Sequence, residues 1–273
     1  MPTKKQNAEK KADWQNLSVK ENLGRKLNIH TFDRDKQTIV LMGDEHIGNK
    51  YYNKDFHKRI VEWCYENKIP IILMGDTLET ATKTSIGAGV FEQDDIVQGQ
   101  LEKAVKLYKP LAKEGLILGN HIGNHEARVF NTSGANLSKI FSQMLKIPYL
   151  GVGAVHYLKV GDQNYLLYTT HGSSGARLPH TKIANTIKMA SMIDVDIYAQ
   201  GHLHQLSHHV QNYYKINKRS KTIEEVHKHY ILTGSYLDHW GSYAQVANYE
   251  PARKGSPKLK LSGLEKRVSV SLS

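Results

Sequence analysis

The chain has 273 residues, long enough for one large domain with a generous core, and no apolar run in it approaches the ~20 residues needed to span a bilayer. Its single cysteine, Cys64, excludes an intramolecular disulfide framework and fits a reducing cytoplasm. A formal net charge of +11, with an isoelectric point near 9.4, favours polyanionic partners, nucleic acid foremost; solubility alone would account for it equally well.

Residues 1–27 are polar and carry Lys4, Lys5, Lys10 and Lys11 against few apolar points (Trp14, Leu17, Val19). Without a signal peptide's apolar stretch, they read as a mobile arm or surface helix ahead of a single domain over 28–273. Ile39-Val40-Leu41-Met42 is an apolar run halted by Gly43-Asp44-Glu45-His46, the pattern of a buried strand handing over to a loop, here continuing through Gly48-Asn49 to Asn53. The spacing of Phe56, Ile60, Trp63 and Cys64 predicts a helix over 55–67, closed before Pro70, with Cys64 as a small buried hydrophobe. A second strand, Ile71-Ile72-Leu73-Met74, ends at Gly75-Asp76, and the Thr-, Gly- and Ser-rich loop over 77–93 is long enough to suggest function. Asp94 or Asp95 can cap a helix reaching about Glu114.

Leu116-Ile117-Leu118 is a third strand and ends in a dense cluster of ligand-type side chains, Gly119-Asn120-His121-Ile122-Gly123-Asn124-His125-Glu126. Helical stretches follow from Glu126 and over 135–146. Val155–Val160 and Tyr165–Thr170 read as a hairpin running into His171-Gly172. After a helix over 182–193, Ile197-Tyr198-Ala199-Gln200 halts at Gly201-His202-Leu203-His204. Strands over 206–214 and 226–233 are joined by the basic turn Asn217-Lys218-Arg219-Ser220-Lys221, and Lys258–Leu261 and Val268–Leu272 alternate in strand fashion. Tyr236, His239, Trp240 and Tyr243 suit either base stacking or, the preferred reading, a packed face. The order, βαβαβα followed by hairpins around one helix, points to an α/β chain built as a two-sheet sandwich flanked by helices.

Each of these five strand ends delivers His, Asp or Asn to the carboxyl end of a strand, where open α/β sheets place their chemistry. Asp44, His46, Asp76, Asn124, His171, His202 and His204 mix oxygen and nitrogen donors without thiolate, which suits Mn²⁺, Fe or Zn²⁺ better than an oxygen-only Mg²⁺ or Ca²⁺ cage. Seven groups are too many for one ion and enough for two adjacent ones sharing a carboxylate.

Together, Asp44-x-His46-x-Gly48, Gly75-Asp76, Gly123-Asn124-His125-Glu126, His171-Gly172 and Gly201-His202-x-His204 resemble the calcineurin-like metallophosphoesterase superfamily, over residues 38–204. The tail, from Thr233-Gly234-Ser235 to Gly255-Ser256-Pro257, is more weakly similar to phage and prophage members. The resemblance implies a four-layer α/β/β/α sandwich with two mixed β-sheets. It implies one metal on Asp44, His46, Asp76 and His204, and another on Asp76, Asn124, His171 and His202, with Asp76 bridging. Mn²⁺ comes first for the two divalent ions, with Fe, Zn²⁺ or Ni²⁺ as alternatives. His125 takes the place of the family's non-ligand histidine, which assists the leaving oxygen.

Two features depart from the family pattern. An Asp is usual three residues after Asp76, where this chain has Glu79, a longer candidate for supporting the ligands. The doubled Gly-Asn-His makes Asn120-His121 a rival of Asn124-His125, of which the second copy is favoured because Glu126 follows it. Arg177, in the small-residue loop after His171, is a candidate phosphate contact. The expected protein is a cytoplasmic hydrolase of a bacterial or phage-infected cell, a phosphodiesterase or nuclease in which metal-activated hydroxide attacks DNA or RNA phosphorus. Lys218, Arg219 and Lys221 would guide the polymer. A phosphomonoesterase or cyclic-nucleotide phosphodiesterase is the alternative, and a non-catalytic scaffold on the same fold a minor one.

Overall fold

The computed structural model describes residues 27–82, 89–246, 248 and 250–272. The expected arm thus lies outside the described residues apart from Leu27, as does the middle of the 77–93 loop. The strands are β1 (Asn28–Phe32), β2 (Lys36–Met42), β3 (Ile71–Leu73), β4 (Ile117–His121), β5 (Tyr149–Gly151), β6 (Gly153–Val160), β7 (Gln163–Thr170), β8 (Ile197–Gln200), β9 (Ser207–Asn217), β10 (Thr222–Leu232), β11 (Lys258–Ser262) and β12 (Val268–Ser271). The main helices are α1 (Lys54–Glu66), α2 (Val97–Lys113), α3 (Asn124–Ser133), α4 (Leu137–Leu145) and α5 (Pro179–Ile187).

The strands form two six-stranded sheets, in the orders β1-β6-β7-β8-β10-β9 and β12-β11-β2-β3-β4-β5. Both are mixed: β2, β3, β4 and β5 run parallel, with β11 antiparallel to β2 and β12 antiparallel to β11, and β7, β8 and β10 run parallel between antiparallel partners.

Why the apolar runs are unbroken is visible in β2. Ile39 and Leu41 join a core with Leu167, Ala199 and Ile231 from the facing sheet, while Val40 and Met42 join Val61, Tyr108 and Phe141 under the helices. A strand alternates its side chains between two faces, so one covered on both sides has no polar position. The first of these cores lies between the sheets, the second under α1, α2 and α4. A third, smaller core around Met189, Tyr198 and Tyr230 lies on the outer face of the other sheet, with Ile183 and Ile187 of α5. The layers are therefore α/β/β/α.

Three local readings need correction. Strand β1 is absent from the sequence reading because Asn-Ile-His-Thr-Phe lies at a sheet edge, with Ile29 69% exposed, and lacks the apolar signature of a buried strand. Neither Asp94 nor Asp95 is the cap of α2: the N-cap is Ile96 in extended backbone without a side-chain cap, and Asp95 accepts from the Ile96 amide (2.8 Å) and pairs with Lys103 (2.8 Å). Helix α3 starts at Asn124, two residues earlier than expected, because Glu126 at its third position reaches back to the Gly123 amide (3.1 Å).

Candidate metal centre

The loops after β2, β3, β4, β7, β8 and β10 meet at one end of the sandwich. Backbone pairs lock the first two side by side, Asp44 N–H to Gly75 O and His46 N–H to Asp76 O, both 3.0 Å. Asp44, His46, Asp76, His202 and His204 all sit at positive φ, between 48° and 68°. Each such non-glycine residue costs roughly 1–3 kcal/mol, and five of them in one place mark a conformation held for what it presents. Gly123 is required for a different reason, since a Cβ there would overlap the Asp76 carboxylate and amide.

Among the described residues the side chains gather in three groups, Asp44/His46/His204, Asp76/His171/His202 and, sharing His46, His46/Glu79/His125, with candidate ligand atoms mutually within 4.8 Å in each. In the first, His204 Nε2 lies 3.2 Å from Asp44 Oδ1 and 3.1 Å from His46 Nε2. In the second, His171 Nε2 lies 3.2 Å from Asp76 Oδ2 and 2.9 Å from Asn124 Oδ1, which is also 2.7 Å from His202 Nδ1. Three of the rings have their outer nitrogen on a pure acceptor: His171 Nδ1–H donates to Met74 O (2.9 Å), His202 Nε2–H to Ser174 O (3.1 Å) and His46 Nδ1–H to the Glu79 carboxylate (3.1 Å). Each is thereby set in the tautomer that turns a lone pair inward, as ligand histidines require.

Asp44 and Asp76 are fully buried; burial alone would raise their pKa values, but the facing His204 and His171 respectively hold both below the usual carboxylate range. Burial opposes charge on His171 too, yet Asp76 pushes its pKa up to about 10, and Glu79 and then Asp76 push that of His46 up to about 9. Protons on these rings balance the buried carboxylates, and a divalent cation can take their place.

The remaining expected residues fall into place individually. His125 donates from Nδ1 to Glu79 O (2.7 Å), and its Nε2 lies 3.8 Å from Asp76 Oδ2 at the edge of the cluster. Burial, opposed by Asp76, lowers its pKa to about 4. Glu79 thus orients both His46, by its carboxylate, and His125, by its carbonyl. Glu126 accepts from the Leu78 (2.8 Å) and Gly123 amides, clasping the β3 loop to the start of α3. It faces backbone rather than the cleft. Asn120 and His121 point away from the cluster: Asn120 donates to Ser138 O and Ser142 Oγ under α4, and His121 bonds Gly151 O (3.0 Å) and Thr169 Oγ1 (2.7 Å) between the sheets. Only the second Gly-Asn-His copy reaches the site.

Arg177 lines a cleft of about 450 Å³ that opens over Asp76, Asn124, His125, His202 and His204, together with Lys182 and the Ser174–Leu178 loop. Sequence reasoning missed three contributors. Arg128, one turn of α3 beyond His125, reaches the same cleft; its spacing from His125 on a helical face was the available signal. Thr233 and Ser235, past β10, bond the Asp44 carboxylate (3.3 Å) and carbonyl (3.1 Å), contacts with no local signature. Of the aromatic set, Tyr236 is core, with its hydroxyl 2.6 Å from Ser256 Oγ, while His239 lines the cleft and Trp240 is exposed. The Tyr243 side chain lies outside the described residues.

No family model and no curated protein matches this sequence. Among solved structures, the chain is similar to a predicted phosphoesterase of Streptococcus pneumoniae TIGR4 (14% identity, TM-score 0.38, covering 86% of this chain and 88% of that one). It is also similar to wild-type Vps29 of Entamoeba histolytica complexed with Zn²⁺ (13%, TM-score 0.37, 86% and 97%) and to a metallophosphoesterase of Sphaerobacter thermophilus (12%, TM-score 0.39, 86% of each). At such scores the likeness adds nothing to the site, which stands on the chain's own side chains. The two facing mixed sheets with helices on their outer faces are the fold implied by the resemblance to calcineurin-like metallophosphoesterases.

Proposed function

We propose that the chain is a dinuclear metal-dependent phosphoesterase acting on the phosphodiesters of nucleic acid. The observation that carries the metal reading is the pair of donor groups Asp44/His46/His204 and Asp76/His171/His202, with His46, His171 and His202 turned inward by hydrogen bonds at their outer nitrogens. The donor set fits two divalent cations. Asp44, His46 and His204 would hold one, Asn124, His171 and His202 the other, and Asp76 both, since burial leaves the two carboxylates no solvent to neutralise them. When bound, such ions neutralise phosphoryl charge and make water nucleophilic at neutral pH.

The chain's own residues do the rest. The cleft orients the ester, with the Arg177 and Arg128 side chains along its wall to receive phosphate oxygens. His125, fixed through Nδ1, presents Nε2 to the leaving oxygen. A phosphate in the cleft gives this buried ring an anionic neighbour that favours its protonated, donating form. Full retention of the donor set disfavours the scaffold reading. Mn²⁺ is the expected metal on its mixed N and O donors. Nucleic acid as substrate is supported by the +11 charge, with Arg128, Arg177 and Lys182 on the cleft wall beside Asp238 and Glu250.

The test is a panel of esters on Mn²⁺-loaded protein. Bis(p-nitrophenyl) phosphate should be cleaved faster than p-nitrophenyl phosphate, and DNA or RNA degraded with Mn²⁺ but not with chelator. Preference for the monoester with nucleic acid left intact would replace this reading by a phosphatase.

A further inference from the structure

Strands β9 and β10 pair over eleven residues, Thr222 against Asn217 through Leu232 against Ser207, yet β10 pairs with β8 only over His229–Leu232. Residues 222–228 and their β9 partners therefore run past β8 as a two-stranded ribbon, and among the described residues β9 is the open edge of its sheet. The ribbon is amphipathic in an unusual sense. Ile216 stands opposite Ile223, and steps of two place Tyr214 and Val210 on the same face. Ile216 and Ile223 are each 71% exposed and Tyr214 79%. At the tip are Lys218, Arg219 and Lys221, with Lys215 close by, against Glu224 and Glu225.

The direction of the ribbon also matters. Leu232 leads into Thr233 beside Asp44, so the tip lies at the other end of the strand from the metal cluster; ten residue steps at ~3.4 Å put it about 34 Å away. The basic turn is not among the residues that line the cleft over the cluster.

We infer that this ribbon is a separate grip for double-stranded nucleic acid, its tip contacting phosphates and its exposed Ile216/Ile223/Tyr214 face lying against a groove. The inference rests on the nucleic-acid reading above and deepens it. A B-form major groove, ~12 Å wide, admits a two-stranded ribbon. Charge complementarity selects this occupant over a second copy of the chain, because two molecules at +11 meeting at their basic tips repel.

Binding of a fluorescent 30-base-pair duplex to the full-length protein, measured by anisotropy in EDTA, tests the grip without cleavage. Lys218→Glu/Arg219→Glu/Lys221→Glu should weaken binding at least 30-fold and flatten the slope of log K against log salt by about 2.7, at ~0.9 per lost phosphate contact. Ile216→Ser/Ile223→Ser should weaken it by about 10-fold with an unchanged salt slope. Both variants, loaded with Mn²⁺, should hydrolyse bis(p-nitrophenyl) phosphate at the wild-type rate, which also shows that they fold. Unchanged DNA affinity in the charge-reversed variant would overturn the inference. So would a concentration-dependent dimer in light scattering, abolished by the Ile pair while DNA affinity stays constant, because the face would then belong to a second copy. A wild-type protein that binds the duplex through the tip but never cleaves nucleic acid would leave the grip standing and sink the nuclease reading alone.

Discussion

Glu79→Gln isolates the residue that departs from the motif pattern this sequence otherwise resembles. The Glu79 carboxylate lies 3.1 Å from His46 Nδ1 and is 5% exposed, while its carbonyl, 2.7 Å from His125 Nδ1, belongs to the backbone and survives the substitution. The amide can still accept from Nδ1–H but removes a buried negative charge from behind a ligand, and carboxylate partners of ligand histidines are typically worth 10–100-fold in metal affinity, roughly 1.4–2.7 kcal/mol. Because His125 keeps its anchor, kcat of the metal-saturated variant should fall less than about 10-fold. The assay is Mn²⁺ titration against a chromophoric chelator of fixed affinity, followed by turnover of bis(p-nitrophenyl) phosphate at saturating metal. Wild-type metal affinity combined with a loss of kcat above about 100-fold would refute the reasoning, because it would put Glu79 in the chemistry itself.

Asp76→Ala should lose both ions by metal analysis, whereas His204→Ala should chiefly weaken one; two tightly held ions in the Asp76 variant would remove its bridging role. His125→Ala should lower kcat about 10²–10⁴-fold at normal metal content. His121→Ala, which unseats bonds to Gly151 and Thr169 between the sheets, should cost roughly 1–3 kcal/mol of stability with turnover retained. Burial lowers the pKa of His57, bonded to Tyr52 and Tyr108 hydroxyls, from 6.5 to about 3. The unfolded chain then binds the extra proton first, so stability contributed by keeping this ring neutral is complete above pH 6.5 and is lost as pH falls toward 3, by up to roughly 3 kcal/mol at pH 4. Denaturant unfolding in EDTA should therefore weaken across that window, and His57→Gln should take up about one proton fewer on unfolding between pH 6 and 4. An unchanged proton uptake would mean that the ring is already charged in the folded protein.

The sequence by itself determined the strand ends and the ligand types. A strand covered on both faces is apolar along its length, so Ile39–Met42, Ile71–Met74 and Ile197–Ala199 announce themselves, and the polar residue that halts each run lies at its carboxyl end. The seven donors were legible for the same reason. Tertiary structure alone separates the two Gly-Asn-His copies in space: His121 still belongs to β4 and turns between the sheets, whereas Asn124 and His125 open a helix at the mouth of the cleft. It also decided that Glu79 supports two histidines at once, and that Thr233 and Ser235 hold Asp44 from 189 and 191 residues away. The basic turn was legible as charge but not as position. Periodicity marks which face a residue occupies, but how far a hairpin outruns its neighbours depends on where β8 begins, opposite His229, and that is set by packing between strands distant in sequence.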